Sequence, residues 1–188
     1  MSDPTKACTN YGLSEKGKQQ ATAAADDVRT TFVAHGYEGL VILTSDLLRA
    51  KETAVTVFDG TRDLPTHEDR IIIETRLRER WFGEWDGTSD ENYHKVWKDD
   101  EFDSSHTLKR VESVNEVMER TTKCILEWDD HLASKYEEKR CMVILVAHGD
   151  VLQILQTAFE KMDGRLHRTL QHLETAQLRQ LKLAASKI

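Results

Sequence analysis

Cysteine is scarce in this chain. Cys8, Cys124 and Cys141 are the only three in 188 residues. Their number is odd and no paired spacing links them, which argues against a disulfide scaffold or a zinc site and fits a reducing compartment. Long apolar runs are also missing. No stretch approaches the ~18 apolar residues of a membrane span, and the opening MSDPTKACTNYG has no apolar signal-peptide core. Cytoplasm or nucleus is therefore the expected location. Positive charge is outweighed, with 26 Lys and Arg against 33 Asp and Glu, for a net charge of -7. Bulk electrostatics thus offers nothing to nucleic acid. An anionic ligand needs a local cluster of basic groups. A closely spaced glycine turn after a strand is absent too, which sets aside a dinucleotide-binding fold. The sequence shows neither internal repeats nor low-complexity tracts.

What is present is the composition of a globular domain, 39% hydrophobic and 31% charged. The length suits a single domain over residues 1–188 with a sizeable core. Residues 1–12 read as polar and turn-like. Ser14 caps a helix that runs to about His35, with Glu15 favourable in its first turn. GLVILTS is a short buried strand over Leu40–Thr44, and DLLRAKETAVTVF is the helix after it. RIIIETR is a second strand. The charged, aromatic LRERWFGEWDG is a structured loop, its Trp81, Phe82 and Trp85 packing on the domain body. Residues 88–110 form short helices around Tyr93 and Trp97. A long amphipathic helix follows, with Val114, Val117, Met118, Ile125 and Leu126 as its inner stripe. CMVILVA is a third strand, DVLQILQTAFEKM another helix, and TAQLRQLKLAA alternates like an edge strand. Continuous apolar strands belong in a parallel sheet covered on both faces. The expected fold is a three-layer α/β sandwich with a mostly parallel central sheet and right-handed crossovers.

Open α/β sheets hold ligands beyond the carboxyl ends of their strands. Three polar clusters fall there: Thr44-Ser45-Asp46 with Arg49, the Arg76–Gly87 loop with Glu79, and His148-Gly149. Arginine supplies donors matched to phosphate. Histidine donates or shuttles a proton, and a carboxylate of raised pKa serves as general acid or base. Gly149 leaves room for close approach. Taken singly, Arg49 and Glu79 also read as a surface helix residue and a loop carboxylate. The remaining histidines are scattered without metal-ligand spacing. Asp100–Asp103, with three acids in four positions, reads as a solvated face.

In order along the chain, these segments resemble the histidine phosphatase superfamily, which has the phosphoglycerate-mutase-like fold. SDLLRAKETA resembles the segment carrying a phosphate-binding arginine, here Arg49. LRERWFGEWDG resembles the acid loop, with Glu79 at the proton-donor position. ESVNEVMER resembles the start of the long helix after a cap, here residues 88–110. LVAHGD resembles the second-histidine motif, with His148 contacting the phosphoryl group. NYGLSEKGKQQA resembles the segment after the first motif, with Asn10 as a phosphate-pocket asparagine and Leu13, Gly17 and Gln20 at the helix start.

The resemblance implies transfer or hydrolysis of a phosphoryl group on a phosphomonoester, without metal or cofactor. The substrate is expected to be a phosphorylated small molecule, inorganic phosphate a ligand, and nucleic acid and membranes not partners. Lys95, Lys98, Lys109 and Arg110 in the cap are placed to meet a second anionic group. The chain departs from the family where a central strand ends in Arg-His-Gly-Glu, whose histidine is the nucleophile. Asp3, Pro4, Thr5 and Lys6 stand at those places. Nothing identifiable activates Cys8 as a substitute. The expectation is a site with Glu79, Arg49, Asn10, Gly149 and His148 but impaired turnover, or else a non-catalytic phospho-ligand or protein-binding member.

Overall fold

The computed structural model describes residues 2–66, 71–137 and 139–184. His67 and Arg70, part of the loop and strand expected there, lie outside the described residues. Helices α1 (Pro4–Ala7) and α2 (Glu15–His35) precede strand β1 (Gly39–Thr44) and helix α3 (Leu48–Gly60). Strand β2 (Ile72–Ile73) leads through short 3-10 turns to α4 (Tyr93–Phe102) and α5 (Val114–Lys135). Strand β3 (Cys141–Val146) and helix α6 (Gly149–Phe159) follow.

Local chemistry sets most of these limits. Ser14 Oγ accepts the Gly17 N–H at 3.1 Å and starts α2, and left-handed Gly36 (φ 62°) ends it. Ser113 and Glu116 form a reciprocal capping box that starts α5. Pro4 sits at the head of α1, where its missing N–H has no intrahelical partner to lose. Strands β1 and β3 pair in parallel from Gly39↔Cys141 to Thr44↔Val146, and β2 flanks β1 on its other side. The sheet order is β2-β1-β3. On one face α2 and α3 bury Val28, Phe32, Ala54 and Val57 against Leu40, Ile42, Met142 and Ile144. On the other, Cys124 and Leu132 of α5 meet Val41 and Leu43. Helix α6 closes this layer through Val151 and Ile154 against Val114 and Val117. The three-layer α/β sandwich is as expected.

Four expectations need correction. TAQLRQLKLAA forms no strand among the described residues, because no neighbouring backbone lies in ladder register with it. The inner stripe of α5 runs through Val114, Val117, Thr121, Cys124 and Leu132, so Leu126 faces solvent, 65% exposed. Trp81 is exposed while its neighbour Phe82 is buried and stacks on Tyr93 with ring centroids 4.0 Å apart. Asp100 is not on a solvated face. It is 0% exposed, because α4 turns it inward beside Val96.

The acid loop is locked to the end of the cap by Gly83. Its φ is +56°, and a Cβ there would lie 2.0 Å from the Lys109 carbonyl oxygen. Lys109 and Arg110 both carry positive φ, 58° and 60°, and both side chains reach Glu84. Gly83→Ala is expected to cost about 2–3 kcal/mol through left-handed strain and overlap. Urea unfolding measures this, and an unchanged midpoint would refute the packing described.

Candidate active site

Thr44 ends β1 and Val146 ends β3, side by side in register. Helices α3 and α6 therefore start at the same rim of the sheet. Neither has a side-chain cap at its N-terminus, with Leu47 and His148 at those positions. Their first N–H groups are thus open to an anion, and Arg49 lies in the first turn of α3. The chain after β2 brings Glu79 to the same rim.

The three side chains expected to converge do so. Glu79 Oε2 lies 3.9 Å from Arg49 Nη2 and 4.0 Å from His148 Nδ1. His148 is buried, and its Nε2 is 3.0 Å from Ser45 Oγ. Ser45 Oγ already accepts the Leu47 N–H at 3.3 Å, which favours its own proton going to His148 Nε2. Nδ1 then carries the imidazole proton on the Glu79 side. Glu79 Oε1 accepts the Arg80 N–H at 2.9 Å. At Gly149 nothing lies within 4 Å of where a Cβ would be, so the helix start is open as expected. Asn10 is exposed, its backbone N–H donating to the Lys6 carbonyl at 2.8 Å. Among the described residues no hydrogen bond joins it to Arg49, Glu79 or His148.

The electrostatics give these groups distinct states. Burial pushes the Glu79 carboxyl up to about 7, the nearby Asp150 charge adds to this, and Arg49 opposes it. Burial, reinforced by Arg49 and Arg120, holds His148 well below its usual range, so the imidazole is neutral at pH 7. Cys8 donates to Asp46 Oδ2 at 3.4 Å, and its thiol is raised by burial and then by Asp46. That leaves it a poor nucleophile. Asp46 is held below the usual carboxylate range chiefly by the Arg78 fork, with contacts of 2.8 and 2.5 Å.

The Glu79 shift has a consequence for stability. A carboxyl whose folded pKa exceeds its unfolded value stays protonated in the native state while the unfolded chain ionises. Its contribution therefore falls as pH rises from 4.5 to about 7. The loss is on the order of 2–3 kcal/mol. Glu79→Gln is expected to match the parent near pH 4.5 and exceed it at pH 8. Urea titrations at both pH values check this, and equal stability of the two at pH 8 would refute it.

Beneath Glu79 lies a buried network that the sequence reading missed. Arg80 is 0% exposed and forks onto Asp100 of α4 through two hydrogen bonds of 2.7 Å. Arg80 also donates to the Glu112 carbonyl at 2.7 Å and to Asp150 at 3.3 Å. His106 Nε2 meets Asp100 at 2.8 Å, and buried His167 stands 3.5 Å from Asp150. Burial drives the Asp150 carboxyl up, but His167, Arg80 and Arg168 hold it below its usual range on balance. One signal was available: Asp100 lies four residues after Val96, on one helical face.

A cavity of about 620 Å³ opens beside Glu79, its walls including Ser2, Arg78, Arg110 and Arg120. Of the four cap cations expected to face an anion, Arg110 lines it. Lys109 reaches Glu84 at 3.4 Å, and Lys95 lies over the Trp85 ring, 4.7 Å from its centroid. The segment expected to be turn-like borders the same cavity: Ser2 Oγ and N–H both donate to Asp86, at 2.5 and 2.6 Å. Among the described residues no cluster of side chains is arranged to hold a metal ion. No helix among them is long and apolar enough to cross a membrane.

Residues 3–188 match the family model of the histidine phosphatase superfamily, branch 1. The chain belongs to this superfamily. A glucosyl-3-phosphoglycerate phosphatase of Mycolicibacterium vanbaalenii is 29% identical over 154 residues, which is 78% of this chain and 62% of that protein. The corresponding Mycobacterium tuberculosis protein is 31% identical over 162 residues, 80% of this chain and 65% of its own length. The chain thus spans less than two thirds of these relatives. The native structure of a mycobacterial glucosyl-3-phosphoglycerate phosphatase superposes with a TM-score of 0.70 at 27% identity, covering 91% of this chain and 79% of that one. Further structures of the mycobacterial glucosyl-3-phosphoglycerate phosphatase are complexes with inorganic phosphate and with VO3.

Proposed function

We propose that this chain carries a phosphomonoester site of the histidine phosphatase type, directed at a phosphorylated small molecule. The observation that carries the reading is the convergence of Arg49 and His148 on Glu79 Oε2, at 3.9 and 4.0 Å, where two uncapped helices begin. In this reading Arg49, His148 and the backbone N–H groups at Gly149 hold the equatorial oxygens of a phosphoryl group. Asn10 is assigned to the pocket by resemblance. Glu79, close to half protonated at neutral pH, gives its proton to the leaving oxygen. The activities and phosphate complexes of the relatives support this chemistry, and the Arg-lined cavity suits a substrate with a further anionic or hydroxylated part. No cofactor enters the scheme.

The covalent step is the weak one in this chain. Pro4 stands where the resemblance puts the nucleophilic histidine, and it begins a helical turn capped by Asp3. The expected behaviour is therefore binding of phosphate and vanadate with hydrolysis of p-nitrophenyl phosphate near background. A non-catalytic phospho-ligand-binding or protein-binding role on the same fold is the second reading, favoured by Pro4 at the place the resemblance gives the nucleophile. The test is p-nitrophenyl phosphate turnover and vanadate binding by the parent and by His148→Ala. Robust turnover that His148→Ala abolishes would overturn the impairment. Failure to bind vanadate at all would overturn the site.

A further inference from the structure

The charged groups that line the cavity beside Glu79 are not equally available to a ligand. Most are already committed. Arg78 forks onto Asp46 at 2.8 and 2.5 Å. Arg120 meets both oxygens of Glu112, at 2.6 and 3.1 Å, and also donates to the Arg76 carbonyl. Glu116 is held by Ser113 in the capping box that starts α5. These groups offset one another and offer a ligand little net charge.

Two lining residues stand apart, Trp81 and Arg110. Trp81 is 38% exposed, although tryptophan is ordinarily well buried. Its main chain is spent: the N–H donates to Glu112 Oε2 at 3.1 Å, and the carbonyl accepts the Glu112 N–H at 2.8 Å. What Trp81 leaves to the cavity is therefore the indole. The Arg110 side chain is 83% exposed, and its Nε stands 3.7 Å from Glu84 Oε1, beyond hydrogen-bond distance. Its left-handed backbone is a conformation that a non-glycine residue keeps only where the surroundings over-determine it. Here the Lys109 and Arg110 main chain lies directly over Gly83, and turns closed by Arg110 N–H to the Thr107 carbonyl at 2.9 Å and Val111 N–H to the Leu108 carbonyl at 3.2 Å hold it there. The root of the Arg110 side chain is thus fixed, two residues before the Glu112 that fastens Trp81.

We infer that Trp81 and Arg110 form a distal subsite, which selects phosphomonoesters whose leaving group is a ring with a second acid group on its far side. The inference rests on the phosphoryl site proposed above, which puts Glu79 at the leaving oxygen. Trp81 lies two residues further along the same loop, so a group leaving past Glu79 enters the space that the indole borders. An indole face suits the apolar face of a ring, aromatic or saturated. A guanidinium without a close carboxylate suits a carboxylate or phosphate. A small straight-chain ester would leave both unused. The residues that carry the argument belong to the acid loop and the end of the cap.

The test uses phosphonates, whose P–C bond survives whether or not the chain turns over. In isothermal titration with the full chain, phenylphosphonate is expected to bind about 10-fold more tightly than methylphosphonate. A carboxylate on the far side of the ring, in 4-phosphonobenzoate, is expected to add a further gain of about 3- to 5-fold. In Trp81→Ala the gain from the ring is expected to fall below about 2-fold, and in Trp81→Phe to be largely kept. In Arg110→Asn, chosen because asparagine tolerates positive φ, the gain from the carboxylate is expected to vanish while that from the ring remains. Cyclohexylphosphonate separates the two kinds of ring: a gain equal to that of phenylphosphonate assigns a saturated, sugar-like ring, and a gain for phenylphosphonate alone an aromatic one. Vanadate that fails to bind would overturn the phosphoryl site and this subsite with it. Vanadate binding with equal affinity for the methyl, phenyl and carboxyphenyl ligands would overturn the subsite alone. So would a ring gain that survives Trp81→Ala or a carboxylate gain that survives Arg110→Asn.

Discussion

Asp100→Ala is expected to destabilise the chain by about 3–5 kcal/mol, more than any surface charge removal, because it strands a buried guanidinium. Arg80 and Asp100 are both 0% exposed, and the fork between them spans the acid loop and the cap helix. Removing the carboxylate leaves Arg80 with Asp150 at 3.3 Å and the Glu112 carbonyl at 2.7 Å, too few acceptors for its five donors. Asp100 also holds His106 at 2.8 Å, so a second buried polar group loses its partner. Replacing both charges, as in Arg80→Met with Asp100→Leu, is expected to recover most of the loss, since the desolvation penalty vanishes with the attraction. Urea unfolding of the single and double variants measures the coupling. Additive losses would show that the pair contributes no mutual stabilisation. A further consequence concerns Glu79, whose Oε1 is held by the Arg80 N–H. Any slackening of the Arg80 side chain also loosens the carboxyl beside Arg49 and His148.

The second large effect belongs to Arg49. Arg49→Ala is expected to weaken vanadate and phosphate binding about 10- to 100-fold, the value of one charge-assisted contact in a partly buried site. Arg49→Lys is expected to recover only part of this, because an ammonium lacks the planar fork. Isothermal titration at pH 7 provides the comparison, and unchanged affinity in Arg49→Ala would remove Arg49 from the site. The same variant carries a pH signature. Arg49 lowers the Glu79 carboxyl against the upward push of burial and Asp150. Its loss is expected to move the titration of Glu79 above about 7. The carboxyl carbon resonance of Glu79 reports this directly. A midpoint that stays in place would show that Arg49 and Glu79 do not interact across their 3.9 Å separation.

The neutral state of His148 has the opposite linkage to that of Glu79. A histidine held below 6.5 in the folded chain takes up a proton first in the unfolded chain. Its contribution to stability is thus lost as pH falls below 6.5. Together the two groups favour a maximum between their transitions, with Glu79 limiting the alkaline side and His148 the acidic side. Both shifts originate mainly in burial at the rim.

Much of this molecule was legible along the chain. Ser14 and Gly36 bracket α2 by capping rules that act within a turn. The uninterrupted apolar runs at Gly39–Thr44 and Cys141–Val146 demanded burial on both faces, and hence a parallel sheet. His148 and Arg49 sit just beyond those strands, so the crevice rule places them together. These signals are local, each carried by residues within a few positions of one another.

What tertiary structure alone decided is which polar groups lost water and which backbone found a partner. Asp100 and Asp103 lie three positions apart in one acidic run, yet Asp100 is buried against Arg80 while Asp103 stays exposed. Twenty residues separate Arg80 from Asp100 in sequence, and the spacing of Asp100 from Val96 gives its helical face but not its partner. The stretch TAQLRQLKLAA alternates as a strand should, but a strand exists only where a neighbour supplies the ladder, and none is in register there. Desolvation and pairing are properties of the assembled interior. Composition and spacing specify the elements; the rise of Glu79 to about 7 comes only once those elements are packed.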